Sequence, residues 1–262
     1  MIEAITFDFG NTLVPVGAQD LRDVVALTAG AMADRLGPFD REQVLAAWAE
    51  ERERQFREEV PRFREVDMAQ RVVRVLARLR GMAPPPAGRA WDQAAAASRS
   101  TPDEVAWVLD VYSRSFVEAM PPDPAVGLLL ARLAPRYRLG ILSNWPLAAT
   151  IDRYAGAAGW APFLTAITVS QRVGTIKPHP AIFAAARAAL GDPPPARILH
   201  VGDDWAADVA GGKAAGWRVA YLLVRPHDSP LPNSDRDPSV VPDLELSSLG
   251  ELEDGLARLA PA

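Results

Sequence analysis

Hydrophobic and polar positions follow two different periods along this chain, and the change of period divides it into three parts. Residues 2–7 (IEAITF) form an apolar run that ends at Asp8. A buried β-strand that delivers one polar group at its carboxyl end reads this way. From 18 to 118 the period becomes helical. Segments 20–36, 40–60, 67–80 and 101–119 carry apolar residues three and four apart, and each predicts an amphipathic helix. Asp20, Asp40 and Thr101 stand near the starts, with Pro102 at a first helical position. MAPPPAGRA at 82–90 reads as a loop.

From about 124 onward, strands alternate with helices. YRLGILS, TAITVS, RILHVG and RVAYLLV predict strands, with a weaker one at 244–246, while helices fit 124–134, 146–156, 179–190 and 205–215. Such alternation implies an α/β fold with a mostly parallel sheet covered on both faces. The strand at 2–7 has no partner of its own and must join that sheet, so the helical part is an insertion after the first strand. The turn-rich segment 226–242 predicts an exposed loop.

Ligands of such sheets bind outside the carboxyl ends of the strands. Four strand ends carry chemistry: Asp8, Ser143 with Asn144, Lys177 in the segment after TAITVS, and Asp203 with Asp204, followed by Asp208. Carboxylates from distant strands with one lysine and a hydroxyl suit a hard cation and a phosphate group. Singly, each has a plainer reading, as a helix cap, a surface lysine or a first-turn acid. Their recurrence at one edge favours the site.

Composition narrows the chemistry further. There is no cysteine, which excludes disulfides, thiolate nucleophiles and cysteine-based metal sites. His179, His200 and His227 are too scattered for a histidine metal pair, and His200 inside an apolar strand reads as core. The 33 acidic and 28 basic residues, net −5, argue against a general nucleic-acid binder. Of the basic residues only Lys177 and Lys213 are lysines. Lys213 lies in a segment that imitates a phosphate-binding loop but lacks its first glycine and final hydroxyl, so it reads as a surface helix residue. No GxGxxG follows a strand, so a dinucleotide site lacks its fingerprint. The start MIEAITFDFG is unlike a signal peptide, and no uncharged apolar stretch reaches 18 residues. The expectation is a cytoplasmic protein, monomer or dimer, with no membrane partner.

Four motifs, FDFGNTL at 7–13, ILSNW at 141–145, KPHPAIF at 177–183 and HVGDDWAADVAGGKAAG at 200–216, resemble the haloacid dehalogenase-like hydrolases. Their wording is most similar to the subgroup of haloacid dehalogenase-like domain-containing protein 3. The resemblance implies a Rossmann-like core, 1–16 and 119–262, with a helical C1-type cap at 17–118. It implies Asp8 as a nucleophile that forms an aspartyl phosphate on a small phosphorylated substrate, with Ser143 and Lys177 in catalysis. Mg²⁺ would be held by Asp8, the Gly10 carbonyl, Asp203 and Asp208. Asn11, Thr12, Ser143, Asn144 and Lys177 would bind substrate. One departure stands out: the family's phosphatases carry a second aspartate two residues after the nucleophile, and here that position is Gly10. A phosphatase without this acid is slow on poor leaving groups, by about 10²–10⁴-fold. The alternatives are a fold relative that binds with little turnover, and a metal-independent 2-haloacid dehalogenase. The phosphonatase-like route is closed, because the cap has no lysine. Trp48, Trp91, Trp107, Trp145 and Trp205 read as packing groups, and Arg54, Arg57 and Arg62 as solvated charge that is also suited to anions.

Overall fold

The computed structural model describes residues 1–259. The first strand, β1 (Ala4–Phe7), is buried at every position. Five helices follow: α1 (Ala18–Leu36), α2 (Arg41–Glu59), α3 (Met68–Leu79), α4 (Gln93–Ala97) and α5 (Pro102–Ala119). The remaining chain runs α6 (Pro124–Leu133), β2 (Arg138–Ser143), α7 (Ala148–Ala157), β3 (Leu164–Val169), α8 (Ser170–Val173), α9 (Pro180–Ala189) and β4 (Ile198–Gly202). It ends with α10 (Gly211–Ala214), β5 (Arg218–Leu222), β6 (Leu244–Leu246) and α11 (Leu252–Leu259). All strand pairs are parallel, in the order β3-β2-β1-β4-β5-β6. This is an α/β Rossmann-like sheet. Strand β1 lies at its centre, where the strand order reverses, so the loops after β1, β2 and β4 open onto one crevice.

Local chemistry sets the helix ends. Asp40, Asp67 and Asp92 accept backbone N–H bonds from Glu42, Gln70 and Ala95 at the starts of α2, α3 and α4. Thr101 and Glu104 bond reciprocally in a capping box at α5. Helix α1 starts earlier than the sequence pattern suggests: Gly17 is its cap, and Asp20 reaches back to the Gly17 N–H at 3.2 Å. Short α4 escaped the periodicity because five residues make little more than one turn. The expected helix at 205–215 begins instead as a π-helical turn, Trp205–Ala210, before α10. There the Asp208 carboxylate turns inward and takes the Asp204 N–H at 2.9 Å, and the widened turn accommodates it. Among the described residues, no helix is long and apolar enough to cross a membrane.

An aromatic knot joins the inserted helices to the sheet. Phe9 follows Asp8 in the chain and meets Trp145 and Tyr154 edge-on, with ring centroids 5.5 and 5.3 Å apart. Phe116 of α5 closes the group, 5.2 Å from Trp145. Trp145 is thus a packing residue beneath the crevice. Trp205 packs edge-on against Tyr221, and Trp48 stacks on Tyr112 within the helical layer. Because Phe116 is fully buried at this junction, Phe116→Ala is expected to cost about 3–5 kcal/mol in urea denaturation. A loss under about 1 kcal/mol would show that the knot does not couple the two parts.

Candidate active site

Parallel pairing carries Asp8 just past the register Phe7–Ile141 and Phe7–Val201, and its N–H bonds Val201 O at 2.8 Å. Its side chain therefore emerges between the ends of β2 and β4. Lys177 meets it there. The Lys177 Nζ donates to Asp8 Oδ1 at 2.9 Å, to Asp208 Oδ1 at 2.6 Å and to the Leu142 carbonyl at 2.9 Å. Asn144 fixes the lysine backbone from both sides: its Nδ2 donates to Lys177 O at 3.0 Å and its Oδ1 accepts from Lys177 N at 2.6 Å. Asn144 thus orders the lysine loop.

Oxygens of Asp8, Asp203 and Asp208 lie within 4.8 Å of one another. Asp208 is the most engaged. Its Oδ1 also accepts from or pairs with His200 Nε2 at 2.9 Å, while His200 Nδ1 meets Thr6 Oγ1 at 2.8 Å. His200 is a buried core residue that orients a carboxylate. Both Asp208 oxygens are thus engaged, Oδ1 by Lys177 and His200 and Oδ2 by the Asp204 N–H. Asp203 accepts from Asn11 Nδ2 at 3.3 Å and Thr12 Oγ1 at 3.4 Å. Thr12 is buried and turned to Asp203, which itself lines the crevice. Ser143 is buried at the end of β2.

The electrostatics follow from burial and like charge. Burial pushes the Asp203 carboxyl up to about 8, with Asp8 and Asp208 adding to the rise and Arg225 and Asn11 opposing it. Burial also lifts Asp8, against the pull of Lys177. Burial disfavours the charge on Asp208 and on Lys177, but their mutual attraction wins: Asp208 stays well below the usual carboxylate range and Lys177 above the usual amine range.

The segment expected to be an exposed loop closes one side of this site. Arg225 places Nη1 3.2 Å from Asp203 Oδ2. Ser234 donates its N–H and hydroxyl to Asp204 at 2.9 and 3.1 Å, and Ser229 donates to Asn11 Oδ1 at 3.1 Å. Asp204 therefore anchors a loop. Leu231, Pro232 and Ser234 line a cleft of about 230 Å³ together with Asp8, Gly10, Asn11, Lys177 and, from the inserted helical part, Val60 and Phe63. A Cβ on Gly10 would stand 2.5 Å from Leu231 Cδ1, so an apolar side chain fills the space of the missing acid. Sequence reasoning missed Arg225 although the strand-end rule, applied to β5, points at it. Leu231 carries no such signal. From the inserted helical part, Phe63 O accepts from Ile176 N at 3.1 Å and Glu65 bonds the Ser170 hydroxyl, which holds this segment beside Lys177.

A family model described as haloacid dehalogenase-like hydrolase matches residues 2–216. The chain belongs to the haloacid dehalogenase-like hydrolases. It is similar to the pyrimidine 5'-nucleotidase YjjG of Escherichia coli (strain K12), 28% identical over 149 residues, 57% of this chain and 63% of that protein. It is also similar to the glyceraldehyde 3-phosphate phosphatase of Methanopyrus kandleri, 32% identical over 98 residues, 37% and 40% of the two chains. The matched region spans less than two thirds of either relative. Among solved structures, the 2-haloacid dehalogenase from Pseudomonas syringae pv. Tomato DC3000 has a TM-score of 0.68 at 23% identity, over 99% of this chain and 100% of that one. That likeness concerns the fold.

In this haloacid dehalogenase-like hydrolase the two halves of the charge cluster predict opposite responses to mutation. Without metal, the folded chain holds the Asp203 proton to about pH 8, whereas the unfolded aspartate ionises near 3.8. Stability from this group therefore falls as pH rises through that window. Asp203→Asn is expected to flatten the fall and to raise the thermal midpoint at pH 8. Lys177→Met strands two buried carboxylates and is expected to destabilise by about 3–5 kcal/mol at neutral pH. Thermal melts between pH 5 and 8 check both; two shifts of the same sign would sink this account.

Proposed function

We propose that this hydrolase is a phosphatase of small phosphorylated molecules that works through an aspartyl phosphate on Asp8, with the helical unit 17–118 as its cap. The observation that carries this reading is the carboxylate cluster itself. Three acids converge on one point with Lys177 and Arg225 as the nearby cations, and burial, with the neighbouring acids adding to it, makes Asp203 resist ionising. A divalent ion with hard oxygen preference fits such a donor set. Mg²⁺ would be held by Asp8, Asp203 and the Gly10 carbonyl, and would supply positive charge that lets an anionic nucleophile approach an anionic phosphate. A dehalogenase that expels halide without metal has no use for this convergence.

The residues then divide the work. Lys177 holds Asp8 Oδ1 and leaves the other carboxylate oxygen to attack phosphorus. The bond to the leaving oxygen breaks as the Asp8 oxygen–phosphorus bond forms, and water later releases phosphate and restores Asp8. Lys177 and Asn144 also face the cleft where phosphoryl oxygens would bind. The leaving oxygen must find its proton elsewhere, since Gly10 has none to give. Good leaving groups such as acyl and aryl phosphates are therefore favoured.

A second reading, binding with little turnover, draws on one observation: Leu231 occupies the position-10 side-chain space. Kinetics separate the two. Mg²⁺-dependent release of phosphate from acetyl phosphate and para-nitrophenyl phosphate is expected, and Asp8→Asn should abolish it. Gly10→Asp combined with Leu231→Ala, which clears the space, is expected to raise turnover of alkyl phosphates by about 10²-fold or more. No phosphate release above the Asp8→Asn background would overturn the phosphatase reading.

Binding of Mg²⁺ also has a readout apart from turnover. At a hundredfold excess over its dissociation constant, the ion is expected to stabilise the fold by about 2.7 kcal/mol, seen as a rise in thermal midpoint. Asp203→Asn should lose that rise. An equal rise in the variant would remove Asp203 from the metal shell.

A further inference from the structure

The phosphatase reading leaves unused a large cavity within the helical cap, of about 760 Å³. Five arginines line it: Arg54 and Arg57 of α2, Arg62 of the following turn, Arg74 of α3 and Arg89 of the loop before α4. Two carboxylates share the lining, Glu58 and Glu59, while behind it Arg54 lies 3.7 Å from Glu51 and Arg57 4.0 Å from Glu53. Glu59 is further engaged by Arg64 at 3.0 Å. Arg62 and Arg89 form no ion pair among the described residues.

Arg74 is the second, independent observation. It is only 4% exposed, yet its Nε and Nη1 have no hydrogen-bond partner. Its Nη2 donates to Gln70 at 2.8 Å, and the nearest carboxylates to Nη1 are Glu58 at 3.6 Å and Glu51 at 4.0 Å. A buried charged donor left without a partner costs about 1–3 kcal/mol or more, and structures retain few of them. An anion seated in the cavity would meet those idle nitrogens.

We propose that this cavity is a second anion site, taking a small molecule that carries two or three linked phosphate groups. Guanidinium forks bind phosphate oxygens in pairs, and the arginines come from four different segments, which suits several phosphates rather than one. The cavity and the catalytic cleft share no lining residue. They lie on two sides of one turn: Val60 and Phe63 face the cleft, while Pro61 and Arg62 face the arginines. An occupant would therefore sit against the segment that docks the cap beside Lys177.

The test is calorimetric titration of tripolyphosphate into the full chain, in metal-free buffer at low ionic strength. Binding is expected, weakened at least tenfold in the double variant Arg62→Ser, Arg89→Ser and weakened again by 0.5 M salt. Both substituted residues lie at the surface, and circular dichroism checks that the variant folds. Arg74→Gln is expected to lose binding likewise. Absence of binding at millimolar tripolyphosphate would overturn the proposal. So would binding that the double variant keeps, which places the anion in the catalytic cleft, or orthophosphate binding as tightly, which removes the need for linked phosphates. Polyglutamate binding in place of tripolyphosphate, with the same sensitivity, would identify a docking surface for an acidic protein segment instead.

Discussion

The ammonium group of Lys177 is buried where three parallel strands end, and it holds Asp8, Asp208 and the Leu142 carbonyl together. Burying a charge is unfavourable unless partners surround it. Here the partners are themselves buried charges, so neither side can be removed alone. Asp208 is fixed in turn by His200 and by the Asp204 N–H, and the lysine backbone is fixed by Asn144. The rest of the crevice is arranged around this knot.

Asp203 lies outside the protection of that knot. Lys177 serves Asp8 and Asp208, while Asp203 has Arg225, Asn11 and Thr12, which do not fully offset first its burial and then its like-charged neighbours. This local excess of negative charge links the fold to the proposed metal chemistry. It also places Arg225 at the same carboxylate that would ligate an ion, so the loop carrying Arg225 and the ion act on one group. The loop reaches further, through Leu231 over Gly10 and Ser234 on Asp204. A glycine at position 10 and an apolar residue at 231 are two halves of one packing arrangement.

The inserted helices meet the rest of the chain through contacts of different physics. The aromatic knot of Phe9, Trp145, Tyr154 and Phe116 is apolar and continuous with the core. The contact of residues 63–65 with 170–176 is polar and lies beside the crevice. The same stretch of the insertion borders the arginine-lined cavity, a few residues from the cleft at the strand ends.

The order of strands and helices could be read from the sequence because period-2 and period-3.6 patterns record which side of each element is buried. The strand-end aspartates, Lys177 and Asn144 could be read for the same reason: a parallel sheet fixes where its strand ends must meet. The sequence pattern could not show that 205–210 forms a π turn, since that depends on Asp208 turning toward Lys177, a residue 31 positions away. Nor could it show Arg225 on Asp203, Leu231 in the space beside Gly10, or the Thr12 hydroxyl on Asp203. Those residues lie in aperiodic segments, and their positions are set by contacts made only after the sheet and cap have packed. Repeating burial patterns are written locally in the chain; the path of a loop and the pairing of its charges are decided by the tertiary structure alone.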